Sequence, residues 1–461
     1  MINATKSISR HLNDVLLELE KLKARVKEQD KRIEFLEDEN KRLRALLETN
    51  SSNSSKPPST DGFQKIFNSR EKSWKKPGGQ KGHKGHFRQL YTEPTEIIEH
   101  KQKFCDCGHE ILHDGKFSAK QLVDVELKVN VIEHRAFSGK CPFCKKKYET
   151  KLPTALVNPV TYGDNLKAMA VLLSAEGCVA VDRLNQFFHE ISNGKLNISN
   201  GTIINWLKEM AGQTSEEIAK YKKELLESIV DHKDETSIDV GTSLWWFHVL
   251  SNSKTTLYHA NKKRGHEADA AMGILPLFKN VLVRDHFAAL LNLLCEHQEC
   301  NAHILRYLKA AAELRNRTYA KELITLLVTA HRETLASGKK ERLSPERVKY
   351  YEKEYDRIID AGLTECRHHK EDNPLLKRMK KYRAAHLLFL SRTEVPFDNN
   401  LAERDLRMIK TKMKVSGCFR SDQGPETFAA IKSVLSTARK RKENLFEKLK
   451  TLKSTQILAG V

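Results

Sequence analysis

Between residues 10 and 50 apolar side chains keep a seven-residue register. Leu12, Leu19, Val26, Ile33 and Leu47 fall at one seam position together with Asn40, while Val15, Leu22, Leu36 and Leu43 fall at the other with Gln29. A heptad pattern held this long predicts one long helix whose seam pairs with a second helix. Asn40 at an a-type position favours a two-stranded, in-register pairing, so the expected partner is a second copy of the chain; the alternative is an amphipathic helix folded back on its own domain. The pattern stops at "SSNSSKPPSTDG", where Ser and Pro leave little to bury, and a linker is expected. Residues 1–50 therefore read as a coiled-coil helix, and 51–100 as a linker that becomes a basic arm.

Farther along, the period changes several times. "LVDVELKVNVIEHR", between Gln121 and Ala136, alternates like a strand and lies between two close cysteine pairs, marking 101–155 as a small domain. Residues 156–226 carry helical spacing, with "NISNGTIINWLKEM" opening a capped helix, and a helix pair of this kind invites a helix-turn-helix reading. From Ser228 to Arg264 the period shortens to that of three strands, with "SLWWFHVL" in the middle. A helix-like "HEADAAMGILPLF" follows, then the strand "NVLVRDHF" and a stretch that reads as helix from Ala288 to Leu314. Three antiparallel strands, a helix and a fourth strand open an RNase H-like α/β fold. Charged helical sequence over 311–392 fits a helical insertion, with the core resuming at 393–461. The whole reads as a multidomain chain: coiled coil, small zinc-binding domain (101–155), helical DNA-binding region (156–226) and RNase H-like core (227–310 and 393–461).

Charge narrows the choice of partner. The 461 residues hold 80 Lys and Arg against 60 acidic residues, a net charge of +20, which favours a polyanion and makes nucleic acid the leading candidate. Between Lys65 and Arg88 there are eight Lys or Arg and one Glu around "KKPGGQKGHKGHF". Here glycines would let the chain follow a groove while Lys81, His83, Lys84 and His86 contact phosphates. No secretory core opens the chain and no membrane-length apolar run occurs, so a cytoplasmic, nucleoid-associated protein without a membrane is expected. In that compartment cysteines serve more often as metal ligands or buried thiols than in disulfides. Cys105 with Cys107, and Cys141 with Cys144, are spaced as two knuckles that could bring four thiolates to one structural Zn²⁺.

Candidate chemistry rests on three carboxylates. In the expected fold Asp234 lies on the first core strand and Asp285 at the tip of the fourth; Glu235 and Asp239 are rivals for the first position. Two Mg²⁺ held by carboxylates can activate an attacking oxygen and stabilise a leaving one in phosphodiester chemistry, which calls for a third acid. Glu403, in "PFDNNLAERDLRMIK", stands beside Arg404, with Arg407 and Lys410 on its own helical face, an arrangement suited to metal on one side and DNA phosphates on the other.

These pieces, in this order, resemble the transposases of the insertion sequence 66 family, DDE-type enzymes of bacterial mobile elements. The resemblance is carried by "NSSKPPSTD", "GGQKGHKGH", the cysteine pairs, "DET", "CNAHILRYL" and above all "PFDNNLAERDLR". It implies that Asp234, Asp285 and Glu403 are the catalytic acids and hold two Mg²⁺. It implies DNA cleavage at element ends to free a 3′ hydroxyl, then strand transfer to target DNA. Arg404, Arg407 and Lys410 would contact DNA, and Cys300 with His303 resemble a supporting C-x-x-H signature. Small accessory transposition proteins are partners by resemblance. One departure is that His286 follows Asp285 where the family more often has Gly. Two other readings remain open: a non-catalytic relic that represses element ends, and an RNase H-like nuclease that cuts without joining.

Overall fold

A computed structural model describes residues 2–50, 82–84, 88–156, 158–338, 343–369 and 371–454. It divides into two compact units: Met1–Ile66, Val160–Asn185 and Ser199–Val461 in one, Phe67–Pro159 and Gln186–Ile198 in the other.

Helix α1, Ile2–Leu47, is the long helix that the heptads predict. Its seam side chains Leu19, Leu22, Val26, Ile33, Leu36 and Leu43 are exposed. In the second unit the only strands among the described residues are β1, Ser138–Lys140, and β2, Lys147–Glu149, an antiparallel pair that encloses Cys141 and Cys144. The alternating stretch from Gln121 to Ala136 is not a strand: Leu122, Val125 and Val131 stand in solvent. Alternation makes a strand only when a neighbour takes up its backbone hydrogen bonds, and none does so here.

The helices α2 (Asp164–Ala175), α3 (Val181–Ile191), α4 (Asn200–Gly212) and α5 (Ser215–Leu226) follow. Ser199 caps α4 by accepting from the Thr202 amide at 3.1 Å, as its sequence predicts. Helix α4 spends Ile203, Trp206 and Met210 on the core.

A five-stranded mixed sheet organises the first unit. Strands β3 (Val230–Val240), β4 (Ser243–Ser251) and β5 (Thr256–Asn261) form the expected antiparallel meander. Gly241, at φ +56°, supplies the backbone that the tight β3–β4 turn needs. Helix α6 is shorter than its sequence suggests, His266–Met272, and ends at Gly273 in the left-handed region. Strand β6 (Val281–Arg284) then pairs parallel to β3, and β7 (Glu296–Glu299) parallel to β6, giving the order β5-β4-β3-β6-β7. This architecture fits an RNase H-like core. Strand β7 replaces part of the helix expected between Ala288 and Leu314, so α7 begins only at Asn301 and runs to Leu314.

Beyond α7 come α8 (Thr318–Ala336), α9 (Pro345–Glu365), α10 (Asp372–Lys381) and α11 (Arg383–Ser391), which bury Leu323, Leu327, Tyr355, Ile359 and Met379 in one cluster with Phe389 and Phe397. The stretch expected to be helical, 311–392, is occupied by these four helices together with the end of α7. Helices α12 (Asn400–Ser416), α13 (Gln423–Lys440) and α14 (Leu445–Ser454) close the chain. Ala402, Leu406 and Ile409 of α12 and Phe428, Ile431 and Leu435 of α13 cover one sheet face with Ile238, Val240 and Phe247. The opposite face packs Leu250, Leu257 and Leu282 with Leu225, Met272 and Phe278. With helices on both faces much of the central strand is buried, and a strand as polar as "VDHKDETSIDV" is tolerated because several of its buried polar groups have partners, as when Lys233 meets Glu235 and His232 meets Asn399.

Candidate active site

The parallel register fixes the first two acids. Val230, Asp231 and His232 stand opposite Val281, Leu282 and Val283, and continuing that register by two positions sets Asp285 opposite Asp234. The Asp234 carboxylate accepts the Glu235 amide at 2.8 Å. Its pKa is pushed up to about 8 by burial first, then by Asp285, Glu235 and Glu403. Asp285 is raised as well, again by burial and then by Glu235. Asp285, at the end of β6, and Glu403, on α12, thus both disfavour charge on Asp234, as like charges near a poorly solvated carboxylate do.

The rivals for the first position separate by geometry. Glu235 is committed to ion pairs with Lys233 (3.2 Å) and Arg264 (3.0 Å), while Asp239 is exposed at the far end of β3. Lys233 is itself fully buried, tied to Glu235, to the His248 Nδ1 at 3.0 Å and to Asp269 at 3.7 Å.

Helix α12 is fastened to β3 at both ends. At its start, the Asn399 amide Nδ2 donates to the Lys233 carbonyl at 2.9 Å and its Oδ1 lies 2.9 Å from the His232 Nδ1. At its end, the Phe419 amide donates to the Asp239 carbonyl at 2.9 Å and the Gly241 amide to the Phe419 carbonyl at 2.7 Å. Glu403, in the first turn of α12, is thereby held over the strand that bears Asp234. Asn399 lies within the quoted motif, yet its role depends on a carbonyl distant in sequence and cannot be read from spacing.

Cys300 and His303 also join this region. Cys300 stands at the N-terminal boundary of α7 without a side-chain capping bond, and its sulfur accepts the Asn399 amide at 3.2 Å, while the Asn301 amide donates to the Phe397 carbonyl at 3.1 Å. The His303 Nδ1 lies 3.9 Å from the Glu403 Oε1, and burial holds this histidine at about 4, keeping it neutral. Among the described residues, the side chains of metal-binding type whose ligand atoms all fall within 4.8 Å of one another are Cys300, His303 and Glu403.

Behind Asp285 stands a buried network that sequence reasoning missed. Arg284 donates to the Asp285 carbonyl at 2.8 Å and lies 3.7 Å from Glu299. Glu299 also meets the His286 Nδ1 at 2.8 Å and the His386 Nε2 at 3.3 Å. Burial alone would raise the Glu299 carboxyl, but hydrogen bonds from His286 and His386 outweigh it and hold the group well below its usual range.

Of the expected cations, Arg404 and Arg407 are exposed, and Lys410 donates to the Ser237 carbonyl at 3.2 Å. Arg264 was not anticipated; its guanidinium stacks over Trp246 at 4.6 Å and Phe287 at 4.1 Å. His83 and Lys84 of the basic arm are exposed, whereas Lys81 and His86 lie outside the described residues.

The donor set suits a hard divalent cation. Asp285 Oδ1 and Glu403 Oε1 are buried oxygens with no hydrogen-bond partner, an arrangement costly unless a cation or its water completes it. In the second unit, Cys105 and Cys107 lie in disulfide contact, and Cys141 and Cys144 are free. Each pair sits in a tight turn: the Gly108 amide donates to the Cys105 carbonyl at 2.8 Å, and the Lys145 amide to the Cys141 carbonyl at 3.0 Å. Nearby amides of Cys144 and Phe143 lower the Cys141 thiol.

The sequence profile of the Transposase IS66 family matches residues 159–427, a span that contains Asp234, Asp285, Glu403, Cys300 and His303. A profile for a family of unknown function (DUF6444) matches residues 4–89. No curated protein sequence matches the chain.

Proposed function

The chain belongs to the IS66 transposase family, and we propose that it works by DDE chemistry, with Asp234, Asp285 and Glu403 as the acids that cleave element ends and join them to target DNA. The observation that supports this reading is geometric: the β3–β6 register, continued by two positions, sets Asp285 opposite Asp234, and the Asn399 side chain fastens the start of α12, which bears Glu403, to the Lys233 carbonyl of β3. Mg²⁺ held by these three carboxylates would supply charge to activate an attacking oxygen and stabilise a leaving one.

In the first step water forms a bond to phosphorus at the element end and the bond from phosphorus to the 3′ oxygen breaks, leaving a 3′ hydroxyl. In the second, that hydroxyl oxygen bonds to a target phosphorus while the target's own 3′ oxygen leaves. Both are in-line displacements that require oxygens at two sides of one phosphorus, and acids drawn from three elements can surround it. Arg407, one turn beyond Glu403, and Arg404, both exposed, would meet the phosphate backbone, with Arg264, which bears on the charge of Asp285, as a further candidate.

Other parts fit supporting roles in the same reading. Exposed seam residues of α1 suit pairing with a second copy, which would hold two DNA ends in one complex. Cys105, Cys107, Cys141 and Cys144, once reduced, would form a structural Zn²⁺ module, and His83 and Lys84 with the rest of the basic arm would contact DNA. The helices over 156–226 are further candidates for DNA contact, and small accessory proteins are possible partners in the reaction. No helix among the described residues is long and apolar enough to cross a membrane; a chain acting in this way would work at the nucleoid.

Labelled DNA bearing the element's end, given to purified wild type and to Glu403→Gln, Asp234→Asn and Asp285→Asn with Mg²⁺, tests the reading. Binding without nicking or joining in each variant, against both in wild type, supports it. Nicking without joining in wild type would favour the nuclease reading. Binding without any cleavage by wild type would favour a relic that represses element ends.

A further inference from the structure

Glu403 has two kinds of neighbour. Its helix start is fastened to β3, the strand of Asp234, through Asn399, and its carboxylate lies within 4.8 Å of a sulfur and an imidazole nitrogen, Cys300 Sγ and His303 Nδ1. Cys300 precedes the first residue of α7 and His303 lies three residues on, so both occupy the opening turn of that helix. Glu403 occupies the opening turn of α12, and the Asn399 amide bonded to Cys300 Sγ holds the two helix starts together.

The gap between them has the dimensions of an ion site. His303 Nδ1 and Glu403 Oε1 stand 3.9 Å apart, too far for a hydrogen bond, and both atoms are buried without any hydrogen-bond partner. Ligands of one tetrahedral ion at bonds of about 2.0–2.3 Å lie roughly 3.3–3.8 Å from each other, so the His303–Glu403 pair is already near that spacing and Cys300 Sγ, within 4.8 Å of both, closes the set by a movement of no more than about 1 Å. A neutral imidazole with one free nitrogen and an unpaired carboxylate oxygen compose a half-finished site rather than a finished ion pair. The sulfur decides which ion completes it, because thiolate with imidazole suits borderline or soft metals, whereas an all-oxygen set suits Mg²⁺. Three protein ligands leave a fourth position for water or a phosphate oxygen.

We propose that Cys300, His303 and Glu403 form a second cation site, selective for ions such as Zn²⁺, Co²⁺ or Cd²⁺, which competes with the acid cluster for Glu403. On binding, the Cys300 proton is released to solvent, sulfur bonds to the ion, and the Glu403 oxygen turns away from Asp234 and Asp285. Filling the site thus switches DNA cleavage off. The ion site itself stands on the geometry of three side chains; the switching rests on Glu403 being a cleavage acid.

Co²⁺ titration of the full-length, reduced, metal-free protein reads the site directly through visible and thiolate-to-cobalt absorption. Cysteine knuckles in the second unit contribute equally to every protein compared, so the difference isolates this site. Wild type is expected to take up one more equivalent than Cys300→Ser or His303→Ala, with affinity at the site falling roughly tenfold or more in each. Serine can still accept the Asn399 amide, and circular dichroism checks that both variants are folded; His303→Gln, closer in shape, serves as a second test of the nitrogen. Equal equivalents and spectra in all four folded proteins would overturn the site. In parallel, Mg²⁺-dependent nicking is measured with and without Zn²⁺, each protein against its own zinc-free rate. Zn²⁺ is expected to suppress wild type roughly tenfold and His303→Ala far less. Loss of the cobalt equivalent alongside nicking that ignores Zn²⁺ would keep the ion site but remove Glu403 from the cleavage chemistry.

Discussion

The Asn399 side chain donates to the Lys233 carbonyl at 2.9 Å, joining the residue that starts α12 to the residue before Asp234. This contact is the tether of α12 to β3 that lies nearest Glu403, the other fastening being at the far end of the helix. Asn399→Ala removes it and leaves a buried carbonyl and the His232 nitrogen without a partner, at a cost of about 1–3 kcal/mol. The expected outcome is DNA binding near wild type with nicking slowed by roughly ten- to a hundredfold, since small misplacements of a catalytic group are costly. Parallel measurement of binding and single-turnover nicking checks this; a proportional loss in both would mean that Asn399 stabilises the fold generally and does not position Glu403.

Crowding among the acids gives a stability that depends on pH in the absence of metal. The Asp234 carboxyl titrates at about 8 in the folded chain, against its ordinary 3.8. Between those values the folded protein keeps a proton that the unfolded chain has released, so the contribution is full below about pH 4 and is lost as pH rises through about 8. Asp285 shifts in the same direction. Asp234→Asn should therefore melt a few degrees higher than wild type at pH 8 and nearly level with it at pH 4.5. Mg²⁺ should raise the melting temperature of wild type more at pH 8 than at pH 5.5, and that of Asp234→Asn less at either. Coincident curves for the two proteins at pH 8 would show that Asp234 is not under charge strain.

What the sequence made legible follows from where its signals are local. Strands β3 to β6 could be placed because alternation and turn residues repeat within a few positions, and the order of elements then located Asp234 and Asp285. Strand β7, "EHQE", could not be seen: Gln298 and Glu299 are buried because other segments come to them, as when the Phe389 amide meets the Gln298 Oε1 at 3.0 Å. The opposite error occurs at Gln121–Ala136, where alternation is present and a pairing strand is not. Glu403 stood out by its cationic neighbours, whereas Asn399, Glu299 and Arg264 act through groups far away in sequence.

Exposed heptad residues on α1 lead to a prediction about assembly. Leu22, Leu36 and Leu43 would be buried in a two-stranded coil, each contributing about 1.5–3 kcal/mol per helix. Leu36→Glu should weaken self-association by roughly two orders of magnitude or more, counted from that loss on both helices. Asn40→Leu should instead tighten it while relaxing the choice of two strands. Sedimentation of the full chain across a concentration series distinguishes these outcomes; an unaltered mass for Leu36→Glu would favour a helix that does not pair with a second copy.

Glu299 offers the sharpest test of the network behind Asp285. It is buried against Arg284, His286 and His386, and its carboxyl is held well below the usual range, so its stabilising contribution is present near neutrality and is lost as pH falls. Glu299→Gln keeps the shape but deprives buried Arg284 of its main counter-charge, leaving Asp285 as the nearest remaining acid, a change that costs up to about 3–5 kcal/mol in such settings. Because Arg284 also donates to the Asp285 carbonyl, the loss should reach the active site: nicking should fall more steeply than DNA binding. Adding His386→Ala to Glu299→Gln should cost less than the two changes made separately, since each removes the same contact. Additive losses would mean that His386 stabilises its helix independently of Glu299, and that Asp285 is held by the strand register alone.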